Sequence, residues 1–168
     1  MANRNEYILK LSKHSSIGAS LKVSGVQIRT AQTADATLLA ELMIDAYRDT
    51  IDYDGETFDD ALSEVNAFFA GERGGQPWLQ MSFLAFADSL LVGACLAGEW
   101  DERQSPIISY VMTSAKWKKH GISRLLLDQV LRALIEKDYS EVRAVITDGN
   151  RPSENLFLQF GFQRVEHG

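Results

Sequence analysis

The sequence predicts one α+β domain, and three observations carry that expectation. Strand-type apolar runs cluster in the middle of the chain, and helical-period segments bracket them on both sides. No linker, internal repeat or low-complexity tract divides the 168 residues. A chain of this size buries roughly 68–70% of its unfolded surface, so it needs no disulfide or metal staple. Hydrophobic residues at 45% supply the core and argue against disorder.

In chain order, residues 1–22 are polar and carry Ser12, Ser15, Ser16 and Ser20, so they read as a poorly ordered extension ahead of a domain over 23–168. Within them the alternation Tyr7-Ile8-Leu9-Lys10-Leu11 is a short edge-strand signal. Val26–Arg29 alternates as a strand. Thr33 reads as an N-cap for a helix whose apolar positions are Leu38, Leu39, Leu42, Met43, Ala46 and Tyr47. Thr57 with Asp60 forms a capping-box pattern ahead of Phe58, Leu62, Val65, Phe68 and Phe69, and Gly71–Gly75 ends that helix. Ser82–Ala87 and Leu90–Trp100, separated by Asp88-Ser89, predict a hairpin, and Ile107–Thr113 continues the sheet. Ile122–Glu136 has helical period, Val142–Thr147 is a β-branched strand, Pro152–Phe160 is a short helix and Phe162–Val165 a last strand.

Composition narrows the function classes. The longest uncharged stretch, Gly74–Ala87, has 14 residues, too few for a membrane-crossing helix. No basic start joined to an apolar run marks a secretory leader. The single cysteine, Cys95, forms no internal disulfide and fits a reducing cytoplasmic setting as a buried small side chain. His14, His120 and His167 are too scattered to suggest a metal site. Charge is uneven along the chain. Residues 1–29 hold five basic groups against one acidic, residues 30–102 two against fifteen, and residues 103–168 ten against seven. The acidic middle reads either as solvated helix faces or as a surface for a cation, and the basic end as a surface for an anion. The net charge of −6 and the lack of an aromatic–basic array argue against nucleic acid as a partner.

The stretch most informative about chemistry is Thr113–Ser123, basic and small-residue-rich, between a strand and a helix. A helix N-terminus offers unpaired N–H groups and a positive dipole end to phosphate. Gly121 lets backbone approach closely, and Lys118, Lys119 and His120 add charge. An ordinary basic connector has the same appearance, so this stretch alone does not identify a ligand.

Two blocks taken together resemble the GNAT superfamily of acetyl-CoA-dependent N-acetyltransferases. The first is Trp117-Lys118-Lys119-His120-Gly121-Ile122-Ser123. The second is Asn150-Arg151-Pro152-Ser153 followed by Phe157-Leu158-Gln159-Phe160-Gly161-Phe162. One helix and one strand separate them, as in the family, and the resemblance covers about residues 26–165. It implies a mixed, mainly antiparallel sheet flanked by helices and opened near Thr113. It implies acetyl-CoA as co-substrate, a small-molecule or peptide amine as acceptor, and the homodimers common in the family. Backbone of Val111, Met112 and Thr113 would then meet the pantetheine arm, and the amides of Lys118, Lys119, His120, Gly121, Ile122 and Ser123 the pyrophosphate. Asn150 would stand beside the cofactor arm and Phe157 near the thioester.

The chain departs from the family at informative positions. Lys118 replaces the usual arginine or glutamine and Ser123 the usual glycine or alanine. Phe157 stands where many members carry a proton-donating tyrosine, and Ile107 where many carry a glutamate base. Glu99, at the end of the neighbouring strand, is the candidate base, and Tyr110 a candidate hydroxyl near the reacting atoms. In the segment between the first two helices, Tyr47, Asp52 and Tyr53 suit a cationic acceptor through charge and cation–π attraction, or else simply form a polar connector. The missing acid and base leave a non-catalytic acyl-CoA-binding or sensing domain as the alternative.

Overall fold

The computed structural model describes residues 3–13 and 20–166. Seven strands form one sheet: β1 Arg4–Lys10, β2 Val26–Thr30, β3 Phe83–Ala87, β4 Leu90–Trp100, β5 Ser105–Thr113, β6 Glu141–Thr147 and β7 Gln163–Arg164. The α-helices are α1 Ala36–Tyr47, α2 Phe58–Phe69, α3 Ile122–Glu136 and α4 Arg151–Gln159. Sheet order is β2-β3-β4-β5-β6-β1-β7, antiparallel throughout except that β5 and β6 run parallel. A parallel pair needs a crossover, and α3 supplies it. Among the described residues no helix is long and apolar enough to cross a membrane.

The two sheet faces bury separate cores. One face, with Val92, Cys95, Ala97 and Ile108, packs against Ile122, Leu126, Val130 and Leu134 of α3 and Phe157 of α4. The other, with Leu84, Ala94, Leu96 and Met112, packs against α1 and α2 through Leu39, Met43, Val65 and Phe68. Each such large side chain contributes roughly 1.5–3 kcal/mol on burial. Gly93 lets α3 sit this close: a Cβ there would overlap Ile122 Cγ2 and press on Leu126. Cys95 is fully buried, and desolvation pushes its thiol up, out of the reactive range.

Several boundaries depart from expectation. Residues Arg4–Lys10 are not part of a loose arm, nor do they lie at an edge. They form β1 between β6 and β7, with Glu6 and Tyr7 buried. Their register partners are 131 or more positions away, at Lys10↔Glu141 and beyond, so no local pattern could announce the pairing. The expected serines Ser15 and Ser16, with His14 and His167, lie outside the described residues. Thr33 does not cap α1. It opens a short 3-10 turn, Thr33–Asp35, whose carboxylate Asp35 reaches back to the Gln32 amide and to Arg29. The Thr57–Asp60 capping box forms as expected. β5 begins at Ser105, ahead of Ile107, and α4 starts at Arg151 with Pro152 in its first turn.

Candidate active site

The sheet forks where β5 leaves β6. Pairing between them holds only at Ile107↔Arg143 and Ile108↔Ala144, while β5 stays paired with β4 as far as Thr113. A register shift opposite Leu96 and Ala97 leaves Ser109 as the extra residue just where the separation starts. Beyond it, Val111, Met112 and Thr113 keep β4 on one side only. The Met112 side chain is sunk in the α1/α2 core, so only its backbone faces the fork. The hydroxyls of Thr113 and Ser123 share a hydrogen bond at 2.7 Å, tying the strand's end to the first turn of α3.

The connecting loop is strapped onto α1. Asp45 Oδ2 accepts from Ser114 Oγ and from the Ala115 amide, both at 2.9 Å. Lys118 Nζ donates to the Ala46 carbonyl at 2.8 Å, so this lysine holds the end of α1 instead of extending freely over the loop. Lys119 and Gly121 take left-handed φ values of 68° and 83°, which curls the loop directly before α3. A Cβ at Gly121 would come into ordinary contact with Val23 Cγ2 at 3.7 Å, so the left-handed φ, not crowding, is what calls for glycine there. The amides of Ile122, Ser123 and Arg124 begin α3 and have no intrahelical acceptor. Backbone donors and the helix dipole therefore converge at one end of the fork. His120 leans on Trp117 beside them.

Across the fork, Asn150 caps α4, its Oδ1 accepting from the Ser153 amide at 3.3 Å. Its Nδ2 donates to Asp52 Oδ2 at 2.8 Å and so ties the β6–α4 turn to the α1–α2 segment. Phe157 is buried, edge-on to Phe162 at 4.9 Å between centroids. It offers a ring and no donor.

A pocket of about 280 Å³ opens on the α1/α2 side of the sheet. It brings together Tyr47, Asp52 and Tyr53, the three residues singled out in that segment, and adds Glu56, Asp60 and Glu64 over a floor of Met43, Ile44 and Ala61. The Tyr47 hydroxyl donates to the Val111 carbonyl at 3.3 Å, so the pocket touches the forked strand. Tyr110 projects from the same strand onto Phe68 and donates its hydroxyl to Glu64 Oε1. Arg73 holds the other oxygen of Glu64 at 2.9–3.0 Å.

The protonation states follow from these contacts. Burial would raise the Glu64 carboxyl, but hydrogen bonds from Arg73 and Tyr110, and the charge of Arg4, keep it below the usual range. Burial and then Glu64 push the Tyr110 phenol up, while burial and Asp52 do the same to Tyr47. Both phenols are therefore donors at neutral pH.

Glu99 is not brought into this pocket. It pairs with Pro106, three ladder positions from Leu96↔Tyr110, and alternates with Ala97 and Cys95 on the α3 face. The sequence reasoning did not single out Glu64, whose signal was its spacing four residues after Asp60 on a helix face that could equally be solvated. It also missed Arg4, which it placed in the loose arm.

The sequence profile described as the Acetyltransferase (GNAT) family matches residues 39–162. No curated protein sequence matches the chain at a significant level. Solved structures do. A GCN5-related N-acetyltransferase from Sphaerobacter thermophilus is 18% identical with a TM-score of 0.70, and the alignment covers 98% of this chain and 50% of that one. The chain thus spans half the length of that protein. PH1933 from Pyrococcus horikoshii OT3 is 20% identical over 85% of this chain and 92% of its own, with a TM-score of 0.70. The PaiA N-acetyltransferase from Thermoplasma acidophilum, in complex with coenzyme A, is 17% identical over 85% and 92%, with a TM-score of 0.66.

Proposed function

The chain belongs to the GNAT acetyltransferase family, and from that premise we propose that it transfers an acetyl group from acetyl-CoA to a primary amine by direct attack in a ternary complex. The observation that carries this is the fork between β5 and β6. It has convergent backbone donors of α3 at one end and an acidic, aromatic pocket at the other, and the Tyr47–Val111 hydrogen bond joins the two. The coenzyme A bound by the Thermoplasma neighbour is a ligand of the kind such a fork would take.

The residues present fit acetyl-CoA. Val111, Met112 and Thr113 present strand backbone that an amide-bearing arm would pair with as an added strand. The amides from Lys118 to Ser123 suit the pyrophosphate, and at Gly121 no side chain stands between it and the backbone. Asn150 and Phe157 would flank the arm. The thioester supplies the acyl group to be transferred, and the chain's task is to hold a neutral amine against it, a proximity effect. Tyr110, whose hydroxyl proton goes to Glu64, would orient that amine by accepting from its N–H at the phenol oxygen, and Glu64 stands nearer the pocket than Glu99 for taking up its proton through water. Phe157 donates no proton, so the thiolate departs without a side-chain acid from that position. We place this chemistry in the cytoplasm, where the buried thiol of Cys95 stays reduced.

Thiol release from acetyl-CoA over a panel of primary amines, with calorimetry of acetyl-CoA binding, tests the reading. Binding with turnover is expected. Tight binding with no turnover on any amine would favour the non-catalytic acyl-CoA-binding alternative, to which the phenylalanine at position 157 lends weight. No binding would overturn both.

A further inference from the structure

We propose that Asp45, on the last turn of α1, is a positioning residue for acetyl-CoA: its carboxylate shapes the loop that receives the pyrophosphate without touching the cofactor. This role rests on the acetyltransferase reading of the fork and adds to it how the cofactor loop gets its form.

The loop begins with a short 3-10 turn, Ala115–Trp117, whose cap position is Ser114, and the Ser114 side chain makes no cap bond of its own. So short a turn closes few internal hydrogen bonds and is a poor anchor by itself. The Ser114 amide is spent on the Val92 carbonyl at 2.8 Å, and the Ser114 carbonyl on the Trp117 amide at 2.9 Å. The Ser114 hydroxyl and the Ala115 amide both donate to Asp45 Oδ2 at 2.9 Å. Asp45 thus answers the first orphan amide of the turn from a helix 70 positions earlier in the chain. Lys118, directly after the turn, is fixed one residue along α1 by its bond to the Ala46 carbonyl at 2.8 Å. With Ser114, Ala115 and Lys118 pinned, the left-handed Lys119 and Gly121 lead into α3 from a fixed start.

The sign of the charge separates this role from ligand binding. A carboxylate beside a loop meant for an anion repels that anion, and a phosphate contact calls for a cation or a neutral donor. Asp45 therefore opposes the pyrophosphate by its charge and helps it only through geometry. The help is preorganisation: a loop already held in its bound form loses less freedom when the ligand arrives. Both hydrogen bonds end on the same oxygen, Oδ2. An asparagine carbonyl in its place can accept both while carrying no charge, so charge and geometry are separable at this one position.

The test compares Asp45→Ala, Asp45→Asn and Ser114→Ala with the parent by calorimetry of acetyl-CoA binding, steady-state kinetics, and amide hydrogen exchange of the ligand-free proteins. Asp45→Ala should raise the Kd and KM for acetyl-CoA by about five- to twentyfold. Its kcat at saturating acetyl-CoA, and its KM for the amine, should stay within about twofold of the parent. Asp45→Asn should bind acetyl-CoA as tightly as the parent or more tightly. Ser114→Ala, which leaves the Ala115 bond in place, should fall between Asp45→Ala and the parent. In Asp45→Ala the amides of residues 114–121 should exchange at least about tenfold faster, with the interiors of α1 and α3 unchanged. Parental affinity in Asp45→Ala, tighter binding in both Asp45 variants, equal losses in both, or faster exchange throughout the protein would each overturn the role. A parent that does not bind acetyl-CoA would overturn the acetyltransferase reading and this role with it, before any variant is made. Binding by the parent without turnover would defeat the catalytic reading alone, and calorimetry with hydrogen exchange would still decide Asp45.

Discussion

The Tyr47 hydroxyl donates to the Val111 carbonyl, and this one hydrogen bond joins the acidic pocket to the strand that leaves the sheet. Tyr47 is held in the protonated form by burial and by Asp52. Tyr47→Phe removes the donor and leaves the ring. It should cost about 0.5–1.5 kcal/mol of stability and lower kcat/KM for amines by roughly three- to tenfold. Acetyl-CoA affinity should move much less. Thermal unfolding with steady-state kinetics checks this, and unchanged amine kinetics would show that the bond does not couple the two regions.

Gly121 precedes α3 at φ 83°, where an L side chain costs about 1–2 kcal/mol. Gly121→Glu adds that strain and sets a carboxylate among the donors assigned to pyrophosphate. Acetyl-CoA affinity should fall by at least about tenfold. Calorimetry showing parental affinity would remove the loop from the assignment.

Gly93 is a contact rather than a turn. Gly93→Ala drives a methyl into Ile122 and Leu126, and overpacking of this kind costs about 1–3 kcal/mol. Because Ile122 opens α3, the same shift should weaken acetyl-CoA binding. A variant that melts like the parent would mean that α3 can retreat freely.

Glu6 bridges Arg103 and Arg143 under the sheet. Desolvation alone would raise its carboxyl, but the two guanidiniums outweigh it, and the net shift is downward from 4.5. A depressed carboxyl stabilises the fold fully above its unfolded value and loses that contribution as pH falls through the folded one. Glu6→Gln should therefore lower the melting temperature at neutral pH and flatten its decline below pH 4.5. An undiminished acid slope in the variant would assign that slope to other carboxylates.

How much of this was legible in sequence depended on how local the cause was. The Thr57–Asp60 box and the Asp88-Ser89 hairpin involve neighbours, and both appear as read. The Gly121 turn and Asn150 were singled out because two spaced blocks carried them. Glu64 was hidden because a carboxylate on a helix face looks the same whether it meets water or a tyrosine from another strand. Glu99 was preferred as a base because strand proximity was visible in sequence and sheet face was not. β1 showed only as a short edge-strand signal at Tyr7–Leu11, and its interior place was hidden for the same reason at larger scale: its partners lie more than 130 positions along the chain.

That placement of β1 sets an order of events during synthesis. Both of its neighbours, β6 and β7, are encoded after residue 140. Within this sequence β1 therefore stays unpaired until residues 141–147 and 163–164 have been made. Closing that contact joins residues 131 or more positions apart and pays its loop entropy late. Glu6, already carrying its charge, meets Arg143 only at that final step. A nascent chain arrested before β6 thus exposes an unpaired strand as well as an incomplete fork, and would be the species most in need of a chaperone.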